Sequence, residues 1–351
     1  MDDRRLVLTS FIVIFLASIF VSGCGGSSST PPATITSPNS LTVIQQQSND
    51  FVWDPARQVF YLSVSSSAAS HPNTISVLDP VSGRITASHA TGPDPFAMAI
   101  SGDGQFLYVG IDGNSTVQRF LLPSFTPDIQ IPLGSDPFNG PFFALDIQIA
   151  PGTPHTTAIT LGAFNHSPSA LGGLLIFDDA TPRPTTLPGF PPNIFDSLQW
   201  GADATQLFAA NNETTSFDTY SLSVTASGVA LTHDFPSLFN TFFSRIHYEP
   251  SSKLLYTDSG QVINPATGAQ AGKFAAIGPM FPDAVLHRAF FVDPPNIQAF
   301  DLTSFAQISS FTVTDPTVQG GAGRLLRWGT NGLAMNTSGG QFLLFRGTLV
   351  Q

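Results

Sequence analysis

The sequence predicts an all-β fold, a closed ring of seven repeated sheets, on three observations. Short apolar runs broken by polar residues recur about every 44 residues from residue 41 onward. Turn residues punctuate them at matching places, as in Ser101-Gly-Asp-Gly104 and Pro80-Val-Ser-Gly83. The last repeat ends one strand short, and a spare strand stands before the first. Four short strands per unit at a fixed period of about 40–50 residues make a propeller blade. The expectation is therefore a seven-bladed β-propeller with N-/C-terminal strand closure.

Composition agrees. The 351 residues are 42% hydrophobic, enough for a large core, and only 11% charged, well under the roughly 25% of ordinary soluble domains. Long exposed helices would want Glu and Lys, which are scarce here. Net charge is -11, from 13 basic and 24 acidic side chains. A nucleic-acid partner needs clustered Lys and Arg to neutralise phosphates, and the few arginines are scattered, so nucleic acid is excluded.

At the N-terminus, Arg4 and Arg5 precede an apolar run over residues 6–20. It falls short of the about 20 residues of a membrane span and matches the apolar region of a secretory signal. Small residues follow, then Cys24, the single cysteine of the chain, which rules out an internal disulfide. Val21-Ser22-Gly23-Cys24 resembles the lipobox of bacterial lipoproteins. The resemblance implies a signal peptide over 1–23, cleavage before Cys24, and a diacylglyceryl group on its thiol. Each buried methylene then contributes about 0.8 kcal/mol to membrane anchoring. Gly25, where an Asp would favour inner-membrane retention, points to an exported protein anchored in the cell envelope, at the outer membrane or cell surface. Residues 25–39 are rich in Gly, Ser, Thr and Pro and read as a tether. The expected division is 1–23 signal, 24–40 lipidated tether and 41–351 propeller.

Within the propeller, the second unit is clearest: Phe96-Ala-Met-Ala-Ile100, a Gly-Asp-Gly turn, then Phe106-Leu-Tyr-Val-Gly110. The first aligns on it through Phe51-Val-Trp53, the third through Ile147-Gln-Ile149, the fourth through Leu198-Gln-Trp200 and the fifth through Ile246-His-Tyr248. The sixth is the most degenerate, marked by Phe290-Phe-Val292, and Leu326-Arg-Trp328 marks the last. Third strands end in turns such as Asn264-Pro-Ala-Thr-Gly268, and fourth strands lead into Gly/Pro junctions such as Gly92-Pro-Asp-Pro95. The junction, the Ser-x-Asp-Gly turn and the Leu-Tyr-Val strand resemble the YVTN-type propeller family. That resemblance implies a fold rather than an activity, since the scaffold hosts binding proteins, lyases, lactonases and dehydrogenases. Residues 41–46 are expected to supply the missing strand beside 341–346; an open array, or six blades with extra strands, is the alternative.

In the innermost strands the apolar-x-apolar pattern leaves Val52, Ala99, Gln148, Gln199, His247 and Arg327 at the central position. Two residues earlier lie Asp50, Ala97, Asp146, Ser197 and Arg245. Asp50, Asp146, Gln148, Gln199, Arg245, His247 and Arg327 are thus the candidate ligand-binding residues around the axis. Titratable groups in a cleft mark candidate sites, and pairing between neighbouring blades is the bland alternative for the same residues. The 31 Phe against 5 Tyr favour dry packing between blades, with some junction phenylalanines free to rim a binding surface, residues 239–243 among them.

His-x-His, His-Glu-x-x-His and Cys clusters are absent, so no metal is expected; Cys-x-x-Cys-His is absent too, and no cofactor is expected. The function that follows is a monomeric envelope lipoprotein whose propeller binds or scaffolds a protein, peptide or glycan at one rim. The alternative is a lactonase-like or lyase-like enzyme of the central channel, with His247 as base and Arg245 or Arg327 stabilising an oxyanion.

Overall fold

The computed structural model describes residues 39–351; the expected signal segment over 1–23, Cys24 and the expected tether over 25–38 lie outside the described residues. Seven antiparallel sheets follow one another around an axis. Their innermost strands are Asp50–Asp54, Pro95–Ile100, Gly140–Ile149, Ser197–Trp200, Ile246–Glu249, Met280–Asp283 and Ala322–Trp328, which head blades 1 to 7. Each blade then steps outward through three more strands, as blade 1 does through Val59–Val64, Thr74–Asp79 and Arg84–Ala90. Blade 3 departs from this, with a small hairpin strand Ser135–Asp136 inside and an outermost strand of two residues, Thr181–Pro182.

Turn chemistry sets the repeat. Asp54, fully buried, ends the first strand by accepting the N–H groups of Ala56 and Arg57, and its other oxygen accepts the Tyr61 hydroxyl at 2.8 Å. Glu249 does the same for Ser251 and Ser252 in blade 5. After the third strand, Asp79, Asn264 and Asp301 each accept an N–H two residues on. That turn closes on a left-handed residue, Gly83 and Gly268 at φ +67°, which glycine adopts without strain. Blades 2 and 6 put Phe125 (φ +54°) and Phe305 (φ +59°) there instead. Their rings repay the strain by packing inward, Phe125 stacked on His89 at 3.9 Å and Phe305 edge-on to Phe274 at 5.2 Å.

The core lies between blades, because each sheet has two apolar faces. Leu198 and Trp200 of blade 4 pack with Leu174 and Ile176 of blade 3, whereas Phe51 and Phe60 of blade 1 pack with Trp328, Ala334 and Phe342 of blade 7. The latter seam is the closure. Strand Asn39–Ile44 adds to blade 7 against Phe342–Gly347, with Leu41 opposite Phe345, and Phe51 meets Phe342 edge-on at 4.8 Å. Leu41 and Val43 cover the cluster shared by blades 6 and 7, and Ile44 covers the one shared by blades 7 and 1. The expected seven blades and closing strand are present, the strand starting at Asn39.

Removing residues 39–44 exposes the edge of blade 7 and loosens two interfaces together. Loss of about 1 kcal/mol shifts the melting temperature by roughly 2–4 °C in domains of about 150–250 residues. The truncated domain is therefore expected to melt about 10 °C or more lower by circular dichroism; an unchanged midpoint contradicts a closing role.

Candidate ligand site on the propeller axis

The innermost strands converge on a cavity of about 530 Å³. Residues at the heads of these strands line it, namely Asp50, Asp146, Arg245 and Arg324, with Gln148, Gln199 and His247 one step deeper. Loops after the second strands contribute Asp112, Phe164, Ser169, Asn212 and Glu213. The cavity therefore opens on the rim where strand heads and second-to-third-strand loops meet.

Six of the seven sequence-derived candidates share this cavity. Arg327 does not. Leu326 and Trp328 pack toward blade 1, and Leu325 toward blade 6, so blade 7 has its faces one residue out of step with blade 4. A slip of one residue sends every side chain to the other face; the ladder irregularity between Ala322 and Arg324 lies in this strand. Arg327 faces blade 6 and donates from Nε to Asp283 Oδ2 at 2.7 Å and from a terminal nitrogen to Gly332 O at 2.9 Å. It lines a separate hollow of about 460 Å³ at the opposite end of the strand, with Trp53, Glu249 and Gly329.

The cation that blade 7 does bring to the cavity is Arg324, 2.5 Å from Asp50 Oδ1. Burial works against its charge, but the neighbouring Asp50, Asp146 and Asp258 carboxylates more than compensate and raise its pKa.

Three lining groups, and Asp258 behind His247, also tie blades together. Asp50 Oδ2 accepts the N–H of Met98 in blade 2 (3.0 Å), and Asp146 Oδ2 that of Leu198 in blade 4 (2.8 Å). Ser197 Oγ accepts from Ile246 in blade 5 (3.3 Å), and Asp258 Oδ1 from Met280 in blade 6 (3.0 Å). Each bond satisfies an inner-edge donor that no strand pairs with. Burial raises the Asp146 pKa against the opposing pull of the Leu198 N–H and the Arg245 charge.

Asp258 has a second duty. It accepts the Arg245 N–H at 3.1 Å, and His247 Nε2 lies 2.9 Å from its Oδ1. The imidazole is thereby held at a fixed orientation in the cavity wall.

Asp196, one residue before the inner strand of blade 4, was not among the candidates. It is 8% exposed and accepts the N–H groups of Asn212 (2.7 Å) and Glu213 (3.1 Å) on Oδ2. Burial, and then the Glu213 charge, hold its carboxyl well above the usual range. Glu213 turns to Ser169, accepting its hydroxyl at 2.6 Å and also its N–H.

The rim is aromatic. Phe138, Phe164, Phe190, Phe242 and Phe243 are exposed, and Phe164 and Phe243 also line the cavity. Phe242 lies 5.1 Å from Phe217 and 6.4 Å from Phe243. Among the described residues no cluster of three His, Cys, Asp or Glu side chains is placed to hold a metal, and no helix is long and apolar enough to cross a membrane.

No family model matches the sequence, and no curated protein does. Solved structures do share the fold. The Kuenenia stuttgartiensis hydrazine synthase chain superposes with a TM-score of 0.64 at 11% identity, over 92% of this chain and 100% of that one. The β-propeller domain of Cps50 (Swd1) from Myceliophteria thermophila gives 0.65 at 10% identity, over 87% and 99%. At such identity the likeness concerns architecture alone: the chain is a seven-bladed β-propeller.

Proposed function

We propose that this chain is an exported, lipid-anchored binding module that takes a protein, peptide or glycan segment at the mouth of its axial cavity. One observation carries the reading: two exposed phenylalanines, Phe164 and Phe243, line the axial cavity, and exposed Phe242 stands 6.4 Å from Phe243. Exposed apolar rings rimming a concave polar site mark recognition surfaces. Aromatic anchors flanking a pocket carry much of the energy of such contacts. The lipobox resemblance at residues 21–24 supports the anchor, and the membrane is then a partner through Cys24.

Wild-type protein and the Phe242→Ala/Phe243→Ala double variant, screened against peptide and glycan arrays, test the site. Hits of the wild type are expected to weaken by about tenfold or more in the variant, the scale of one lost aromatic anchor; equal binding removes this rim from the account. For the anchor, Cys24→Ser is expected to abolish palmitate labelling and move the protein from the membrane to the soluble fraction, and retained labelling contradicts lipidation.

A second reading, an enzyme of the central channel, is favoured by the Asp258–His247 contact, since a base needs an orienting partner. It requires turnover of a lactone or uronate that falls by about 100-fold or more in His247→Ala. Equal rates in the two proteins count against it.

A further inference from the structure

Two groups in the axial cavity are left without partners, and they sit on neighbouring blades. Asp196 Oδ1 is buried and makes no hydrogen bond, while Oδ2 of the same carboxyl accepts two backbone N–H groups. An unmade bond of this kind costs about 1–3 kcal/mol, more for a charged group. Arg245 is half-buried in the wall. Every other described arginine that is not fully exposed donates to a carboxylate or a carbonyl. The Arg245 guanidinium makes neither a hydrogen bond nor an ion pair, and its charge reaches Asp146 only through space.

Nor do Asp196 and Arg245 pair with each other. Their strands are pinned side by side by the bond from Ile246 N–H to Ser197 Oγ, between the residues next to each of them in sequence. The Arg245 backbone is fixed further by Asp258. A positive and a negative receptor group thus stand in one cavity wall, close in the ring but unable to neutralise each other.

We infer that the cavity receives a zwitterion of the α-amino-acid type, whose ammonium group donates to Asp196 Oδ1 and whose carboxylate accepts from the Arg245 guanidinium. The inference rests on the axial cavity being the binding site proposed above, and it names the ligand's chemistry. A simple anion would leave Asp196 unbonded and face the lining carboxyls Asp112, Asp146 and Glu213. A simple cation would sit beside an uncompensated arginine. Only a ligand carrying both charges completes both groups with charge-assisted bonds. The ligand's side chain then meets Phe243, Phe164 and Tyr248 in the same wall, which favours an apolar or aromatic one. Burial and the Glu213 charge push the Asp196 pKa up, and an arriving ammonium works in the opposite sense.

The test is calorimetric titration of the full chain with a panel of L-amino acids, each beside its decarboxylated amine and its deaminated acid, as phenylalanine beside 2-phenylethylamine and 3-phenylpropionate. At least one amino acid is expected to bind about tenfold or more tightly than both of its halves. Asp196→Asn, which keeps a side chain of the same shape and so spares the fold, is expected to weaken the amino acid and the amine and to leave the acid unchanged. Arg245→Met is expected to weaken the amino acid and the acid alone. The inference is overturned if no amino acid outbinds its halves, or if both variants, folded by circular dichroism, bind as the wild type does. Should that happen while array ligands still depend on Phe242 and Phe243, the binding module stands and only the zwitterion falls; loss of both sets removes both.

Discussion

The inner edge of every blade is the constraint on which this molecule turns. A strand at the axis has one ladder partner, so its other edge presents backbone donors that must be satisfied in a confined space. The chain answers with short acceptors at the heads of the strands and at the ends of the second strands. Asp50, Asp146, Ser197 and Asp258 each take an N–H from the following blade. Asn336 works in the other chemical sense across the closing seam, donating to Ser48 O at 3.1 Å. These links fix the angle between blades at the axis, while the apolar clusters fix it farther out. They also crowd ionisable groups around one opening, so the structural requirement itself builds a polar cavity.

That overlap explains what was legible in the sequence. The repeat, the turn residues and the unpaired first strand are local signals, and each is enforced by a short-range contact such as Asp54 to Ala56 or Asp79 to Val81. The axial side chains could be found by lining up inner strands, because alternation puts Asp50, Asp146 and Arg245 on one face. In blade 7 the alternation misleads, because Arg324 and not Arg327 reaches the cavity. A register irregularity carries no composition signal in a strand with arginines at both positions. Asp196 stands one residue off the alternation that Ser197 and Gln199 keep, and Asp258 and Glu213 arrive from loops of unequal length. One column of the repeat held a clue: acidic or amide residues close the second strands at Asp112, Asn211, Asp258 and Asp293.

The skew toward phenylalanine has a positional logic. Tyr61, Tyr108, Tyr220 and Tyr256 are fully or almost fully buried, and each hydroxyl reaches an acceptor or another hydroxyl: Asp54, Pro154 O, Asp218 and Ser252 respectively. Tyrosine is spent where a fixed partner exists. Phenylalanine fills the seams that offer none, and of its five exposed rings Phe164 and Phe243 line the cavity.

The closing strand bears on how the domain is held. Asn39 pairs with Gly347, and Ile44 with Phe342; Phe342 begins the third strand of blade 7, just after the loop on the cavity side. Asn39 therefore lies at the far end of that strand, on the face away from the opening. The proposed anchor would thus pull from beneath the ring. With a lipid at Cys24, the molecule would stand like a cup on its stem, its interior turned toward whatever arrives from the surrounding medium.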